Sequence, residues 1–247
     1  MVKIGLQLYS IREQLEQDFF GSLEKVKQAG YDCVEFAGYY GHEAKALRSA
    51  LLDMGLEPYA THTRFDEDLA ATVAYSAALG LKYAILPYSP ADSLEACMKA
   101  NALLKQAAKL FGAEGITVGY HNHPNELVKF DGRYALDIIM DGVAGIYEVD
   151  TAWVQAAGVD VVPYMKSLGD RVGPIHAKDI NADWATRKLE DVDVCIGEGV
   201  LDFPGIIGHL KATGALSRGL IVEQEAFQVP IFEALAKNVR ELRALTA

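Results

Sequence analysis

Along the chain a short apolar run is repeatedly followed by a longer stretch whose apolar positions return at helical spacing. The short runs predict strands at residues 3–8, 33–36, 57–61, 83–86, 117–121, 145–150, 173–178 and 220–225. The longer stretches predict helices at about 18–29, 42–54, 66–79, 92–112, 133–141, 159–168, 203–213 and 229–245. Several helices run into glycine just before the next strand, at Gly30, Gly55, Gly80 and Gly115. Glycine suits the left-handed residue that ends a helix. Strands alternating with helices predict parallel pairing, with helices packed over the sheet.

An open doubly wound sheet and a closed barrel both satisfy that alternation. The chain has 247 residues, close to the roughly 250 typical of a (β/α)₈ barrel. No G-x-G-x-x-G fingerprint follows the first strand, which removes support from a dinucleotide fold. The expectation is one TIM-barrel domain of the α/β class over residues 1–247. Hydrophobic residues make up 51% and charged residues 23%, as in a chain with a large core. The net charge of -11 argues against nucleic-acid and anionic-membrane partners. The start, MVKIGLQLYS, lacks signal-peptide character, and no apolar run is long enough to span a bilayer. Cys33, Cys97 and Cys195 are widely spaced and form no zinc or disulfide pattern. Together these predict a cytoplasmic protein.

Active sites of such barrels form at the C-terminal ends of the strands, and the unusual polar residues fall there. Glu35 ends the second strand and His62 the third. The fifth runs into YHNHP with His121 and His123, and the sixth reads YEVDTAW with Glu148 and Asp150. PIHAKD carries His176 and Lys178, and IVEQEAF carries Glu223 and Glu225. Because strand side chains alternate in direction, each of these pairs shares a face. Burying such charges without partners is costly, and a bound cation is the simplest neutraliser. Imidazole and carboxylate donors without sulfur suit Mn²⁺, Co²⁺, Mg²⁺ or Zn²⁺. Trp153 either stacks on a sugar ring or fills the barrel rim. Arg64 either binds a phosphate or lies on the surface. Glu35 either reaches a substrate or is a salt-bridged strand end. His42 and His209 sit at or in helices, away from the strand ends.

GLQLYSIRE, GYDCVEFAGYYG, YHNHPNEL, YEVDTAWVQAAG, RVGPIHAKD, IGEGVLDFPGII and IVEQE occur in this order over nearly the whole chain. As an ordered set they resemble the xylose-isomerase-like TIM-barrel family, often called sugar phosphate isomerase/epimerase proteins. Its members include ketose 3-epimerases, hydroxypyruvate isomerases and inosose dehydratases. The resemblance implies one divalent metal held by residues of strands five to eight, usually Glu, Asp, His and Glu. The Asp maps to Asp150, the His to His176 and the last Glu to Glu223. His121 stands where the first Glu is usual, so the family's pair of facing carboxylates is incomplete. Glu148 lies about 6.5 Å further down the strand and ranks behind His121 as a ligand. The family often forms dimers or tetramers, so a homo-oligomer is compatible.

The resulting expectation is an isomerase or epimerase acting on a small sugar, keto sugar or sugar phosphate through a metal-bound enediolate. Glu223 or His123 would be the base, with Lys178 on the developing oxyanion and Glu148 as a further carboxylate. His62, Glu35, Trp153 and Arg64 would contact substrate. The alternative is an inosose-dehydratase-like lyase, toward which the strand-five histidine points. A multi-metal endonuclease of the same barrel type would need a basic face, and a non-catalytic sugar-binding protein would need neither base nor metal.

Overall fold

The computed structural model describes residues 2–188 and 191–247. Eight strands form one parallel sheet: β1 Ile4–Gln7, β2 Cys33–Phe36, β3 Glu57–His62, β4 Tyr83–Leu86, β5 Thr117–His121, β6 Gly145–Glu148, β7 Ile175–Ala177 and β8 Leu220–Val222. Their spatial order is β6-β5-β4-β3-β2-β1-β8-β7. The two edges meet through isolated parallel bridges, Tyr147 with Val172 and Asp150 with His176. Gly173 N donates to the Tyr147 carbonyl at 2.7 Å, and His176 N donates to the Val149 carbonyl at 2.9 Å. The sheet therefore curls into a nearly closed (β/α)₈ barrel, as the alternation and length predict.

The helices that follow the strands are α1 Phe19–Ala29, α2 Ala44–Asp53, α3 Leu69–Leu79, α4 Leu94–Ala113, α5 Ala135–Ile139, α6 Val161–Leu168, α7 Phe203–Thr213 and α8 Ile231–Thr246. Local chemistry sets their ends. Asp18, Asp68, Ser93 and Asp202 each accept a backbone N–H of the first turn. Gly30 and Gly80 close α1 and α3 with φ of 106° and 81°, where a Cβ would be strained. Helix α8 buries Ala234, Leu235, Asn238, Val239 and Leu242, a stripe of helical period facing the barrel. No helix among the described residues is long and apolar enough to cross a membrane.

Beyond the one-residue trim of β1 at Gln7, three strands end earlier than the apolar runs predict, and a side chain or a new strand pair takes over from the ladder. After Glu148, Asp150 caps a short helix, Thr151–Ala156, by accepting from Trp153 N at 2.8 Å. After Ala177 the chain turns, and Asp179–Ile180 pairs antiparallel with Asp193–Val194. After Val222, Gln224 N bonds to Ser10 Oγ and Glu225 N to Asp193 Oδ2. Residues 133–141 give only the five residues of α5. The residues before it form a tight hairpin, Lys129–Phe130 with Arg133–Tyr134, turned by Asp131 and Gly132 at φ of 49° and 83°. Asp-Gly is a strong signal for such a turn.

The barrel lumen is layered. Cys33, Ala60 and Ile221 belong with Tyr59 to a small apolar cluster apart from the main core. Each of the first three lies two residues before a polar one: Glu35, His62 and Glu223. Strand alternation therefore puts those three polar groups on the same inward face, one layer nearer the C-terminal mouth. The apolar layer closes the floor, and the layer above it carries the ionisable groups.

Candidate active site

Seven of the eight strands, all but β4, deliver side chains to that upper layer. His176 on β7 is its centre. Its Nε2 lies 2.6 Å from Glu35 Oε2 on β2, and its Nδ1 lies 3.1 Å from Glu223 Oε2 just past β8. Gln7 on β1 donates to the same Glu35 oxygen at 2.9 Å. Glu148 on β6 approaches His62 Nε2 to 2.7 Å, His176 Nε2 to 3.2 Å and His121 Nδ1 to 3.6 Å. Glu35, Glu148, Asp150 and His176 are wholly buried, and His121 and Glu223 nearly so.

Such crowding shifts proton affinities. Burial would raise the Glu35 carboxyl, but His62 and His176 pull it below the usual range. Burial would lower His176, yet Glu148 and Glu35 raise it well above an ordinary imidazole. His62 is raised in the same way, against its burial, by Glu35 and Glu148. His121 goes the other way: burial and then the neighbouring imidazoles hold it far down, so its ring is neutral. Burial, reinforced by Glu35, lifts Glu148 to about 7. Burial lifts Asp150 to about 7 despite the Lys178 charge. Burial opposes ionisation of Glu223, but Lys178 and His176 overcome it and keep the carboxylate charged.

The donor chemistry fits a divalent cation. Ligand atoms of His121, Asp150, His176 and Glu223 all lie within 4.8 Å of one another. His121 Nδ1 and Asp150 Oδ2 are buried without any hydrogen-bond partner, a state that normally costs free energy. A cation would satisfy both. A second set, His62, His121, Glu148 and His176, shares two members with the first. In both sets the carboxylate from the sixth strand has one oxygen engaged, Glu148 Oε2 by His62 and Asp150 Oδ1 by Trp153 N, and one buried oxygen without a partner.

The remaining sequence candidates divide. His123 lines the cavity above the centre, and its ring lies 5.9 Å from that of Trp153 at 28°. Burial holds His123 down to about 4. Trp153 lies behind His123, 7% exposed, with Lys178 Nζ 4.4 Å from its ring centroid. It fills the rim and is not on the cavity wall. Lys178 is 1% exposed and reaches Glu225 Oε1 at 2.8 Å and Asp193 Oδ2 at 3.4 Å. Burial opposes its charge, but Glu223 and Asp193 raise its proton affinity. Arg64 stands at the cavity mouth, exposed, with Asp66 Oδ2 at 2.7 Å and Glu67 Oε1 at 3.3 Å. His42 packs against Phe19 and Phe20, and His209 is on α7.

The structure adds residues that sequence reading passes over. Gln7 is the lone polar residue of an apolar strand and orients Glu35. Asn122 Oδ1 holds the Asp150 backbone. Asp193, carried by the long β7–α7 connection, ties Lys178 to the Glu225 backbone, a contact for which the sequence holds no local signal. Tyr9 and Tyr88 flank the cavity and expose 42% and 56% of their surface.

Comparison with known proteins agrees with the architecture. The family model described as xylose isomerase-like TIM barrel matches residues 23–245. One sugar phosphate isomerase/epimerase structure from Parabacteroides distasonis is 25% identical, covers 98% of each chain and has a TM-score of 0.82. Another from the same organism is 24% identical, covers 100% of this chain and 94% of its own, and has a TM-score of 0.81. The probable 3-DHS dehydratase AsbF of Bacillus anthracis is 16% identical, covers 98% of each chain and has a TM-score of 0.77. Among curated proteins, none matches the chain. At these identities the likenesses speak to the fold, and the chemistry rests on the site.

Proposed function

The chain belongs to the xylose isomerase-like TIM barrel family, and from that footing we propose that it is a divalent-metal-dependent isomerase or epimerase of a small sugar or keto sugar. One observation carries the reading. Two imidazoles and two carboxylates converge at the strand ends below an open cavity, with buried donor atoms that no protein group satisfies. His121, Asp150, His176 and Glu223 would hold the ion, which supplies Lewis-acid polarisation of a substrate carbonyl.

The chain's own groups have distinct tasks. Proton abstraction next to a carbonyl needs a base with a free lone pair. His123 is neutral near pH 7 and faces the cavity, and its Nδ1 has no partner. Glu223, ionised and on the cavity wall, is the second base candidate. Lys178 keeps its proton and, paired with Glu225 and Asp193 behind the cavity wall, acts through its charge by holding Glu223 ionised. Glu35 and Gln7 fix the orientation of His176. Returning the proton to the other face or the neighbouring carbon completes an epimerisation or isomerisation.

One observation favours a second reading, a keto-sugar dehydratase. The strand-five position holds His121, not a carboxylate, so the pair of facing acids that shuttles a proton across a ketose is incomplete. Loss of a β-hydroxyl after proton abstraction needs one group only, which takes the proton from carbon and returns it to the departing hydroxyl to release water. The reading also takes the chain as one cytoplasmic domain and is compatible with a homo-oligomer, a point for light scattering.

Solvent deuterium exchange followed by NMR tests the proposal. The panel holds ketoses and inososes, with Mn²⁺- or Co²⁺-loaded protein and a chelated control. Metal-dependent deuterium uptake without loss of water supports the isomerase. Metal-dependent loss of water supports the dehydratase. No reaction across the panel by metal-loaded protein overturns the sugar reading, and failure to bind metal overturns the site.

A further inference from the structure

The cavity above the centre has a volume of about 550 Å³. Its wall carries the carboxylates Glu67, Glu223 and Glu225; among the described residues Arg64 is the one Lys or Arg there, and His62, its proton affinity raised, lies at the floor against Glu148. Arg64 is held by Asp66 through two hydrogen bonds, from Nε at 3.0 Å and from Nη2 at 2.7 Å, with Glu67 on its other side at 3.3 Å. Two carboxylates therefore already surround the guanidinium that would grip an anion.

Barrels of this kind that hold a phosphate commonly do so with the loops after strands seven and eight and a helix N-terminus. Here the loop after β8, residues 223–230, carries Glu223 and Glu225 and neither Lys nor Arg. After β7, Lys178 is committed to Glu225 and Asp193. Arg187 is paired with Asp183 at 2.8 Å, and with Lys188 it lines a separate cavity. The first turn of α7 is capped by the carboxylate of Asp202, which accepts from Gly205 N at 3.0 Å. The place that would cradle a phosphate is filled with acid instead.

We propose that this cavity selects an uncharged polyhydroxy carbonyl compound and rejects its phosphate ester. Glu67 and Glu225 are the specificity-determining carboxylates, and Asp66 withdraws Arg64 from anion binding. The inference rests on the sugar-enzyme reading above and narrows it. A phosphate dianion entering the mouth meets like charge on two walls, which opposes its approach and its binding. A neutral polyol meets hydrogen-bond acceptors, together with the exposed ring faces of Tyr9 and Tyr88.

Two measurements decide it, the first on Mg²⁺-loaded protein and the second on chelated protein, where no ion can hold the anion. The first compares exchange rates for D-fructose and L-ribulose with those for their terminal phosphates, and the free sugars should win at least ten-fold. The second follows binding of inorganic phosphate by ³¹P NMR to wild type, R64A and the double variant D66N/E67Q. Wild type should show no saturable binding, and D66N/E67Q, with Arg64 released, should show saturable binding over the same concentration range. Preference for the phosphorylated sugars overturns the proposal. So does saturable phosphate binding by wild type, whether or not R64A abolishes it, and so does a double variant that gains nothing. If neither form of any sugar reacts, the sugar reading falls, while the phosphate measurement still decides the charge argument.

Discussion

Glu35→Gln probes the link between the buried carboxylate layer and metal binding. Glu35 is fully buried and touches His176 Nε2 at 2.6 Å, on the side of the ring opposite Glu223. When the other ring nitrogen binds an ion, Nε2 must carry the proton and donate it to Glu35. Groups that orient a ligating histidine in this way are worth about 10–100-fold in metal affinity, or roughly 1.4–2.8 kcal/mol at 1.4 kcal/mol per decade. The independent figure for a hydrogen bond to a charged group, about 1.5–3 kcal/mol, falls in the same range. The glutamine amide keeps the volume, and its oxygen can still accept from Gln7 and from His176 Nε2, so what the variant removes is the negative charge that strengthens the bond to the ring. Folding should survive, and the Mn²⁺ dissociation constant should rise 10–100-fold in an isothermal titration. The bare truncation Glu35→Ala should instead cost about 3–5 kcal/mol of stability, because it strands buried charge. If Glu35→Gln folds normally and binds Mn²⁺ within two-fold of wild type, His176 is not a ligand oriented by Glu35, and the proposed ion position is wrong.

Asp150→Asn separates metal from fold. Its amide oxygen can still cap the Thr151–Ala156 helix through Trp153 N, so the apo protein should unfold near the wild-type temperature while Mn²⁺ affinity drops beyond the roughly 100-fold of an outer-shell loss. His123 should stay neutral in an NMR titration of the metal-free protein down to about pH 4; a ring titrating near 6.5 would contradict its buried placement. The sign follows. The unfolded imidazole takes up its proton near 6.5 and the folded one near 4, so the unfolded state binds more protons between them. This residue therefore removes stability as pH falls from about 6.5 to about 4. Lys178→Ala leaves Glu225 and Asp193 without their buried cation and should cost about 3–5 kcal/mol in urea unfolding. A loss under 1 kcal/mol would mean the triad is not coupled.

Much of the fold is legible in the sequence because its signals are local. An apolar run four residues long, a helix-ending glycine such as Gly30 and a capping Asp such as Asp202 act within a few residues of themselves. The same locality exposed most of the site. His62, His121, Asp150, His176 and Glu223 stand out because polar residues end apolar strands, and a barrel brings strand ends together. What the pattern could not give was partnership. Arg64 read equally as an anion grip or a surface residue, and only the fold sets Asp66 and Glu67 beside it. Trp153 read equally as a stacking platform or a rim filler, and packing against His123 and Lys178 places it behind the wall. Three strands also read too long, since a run of apolar residues cannot show where a side chain such as Asp150 or Asp193 will replace the next ladder bond.

The sequence by itself determined the element types, their alternation and the ring of polar strand ends, because these depend on residue spacing along the chain. Only the tertiary structure decided which oxygen meets which nitrogen. The His176–Glu35 contact spans 141 residues and the Lys178–Glu225 contact 47. Contacts at that separation exist only once the barrel closes, and burial in its lumen then sets which of those groups carry charge.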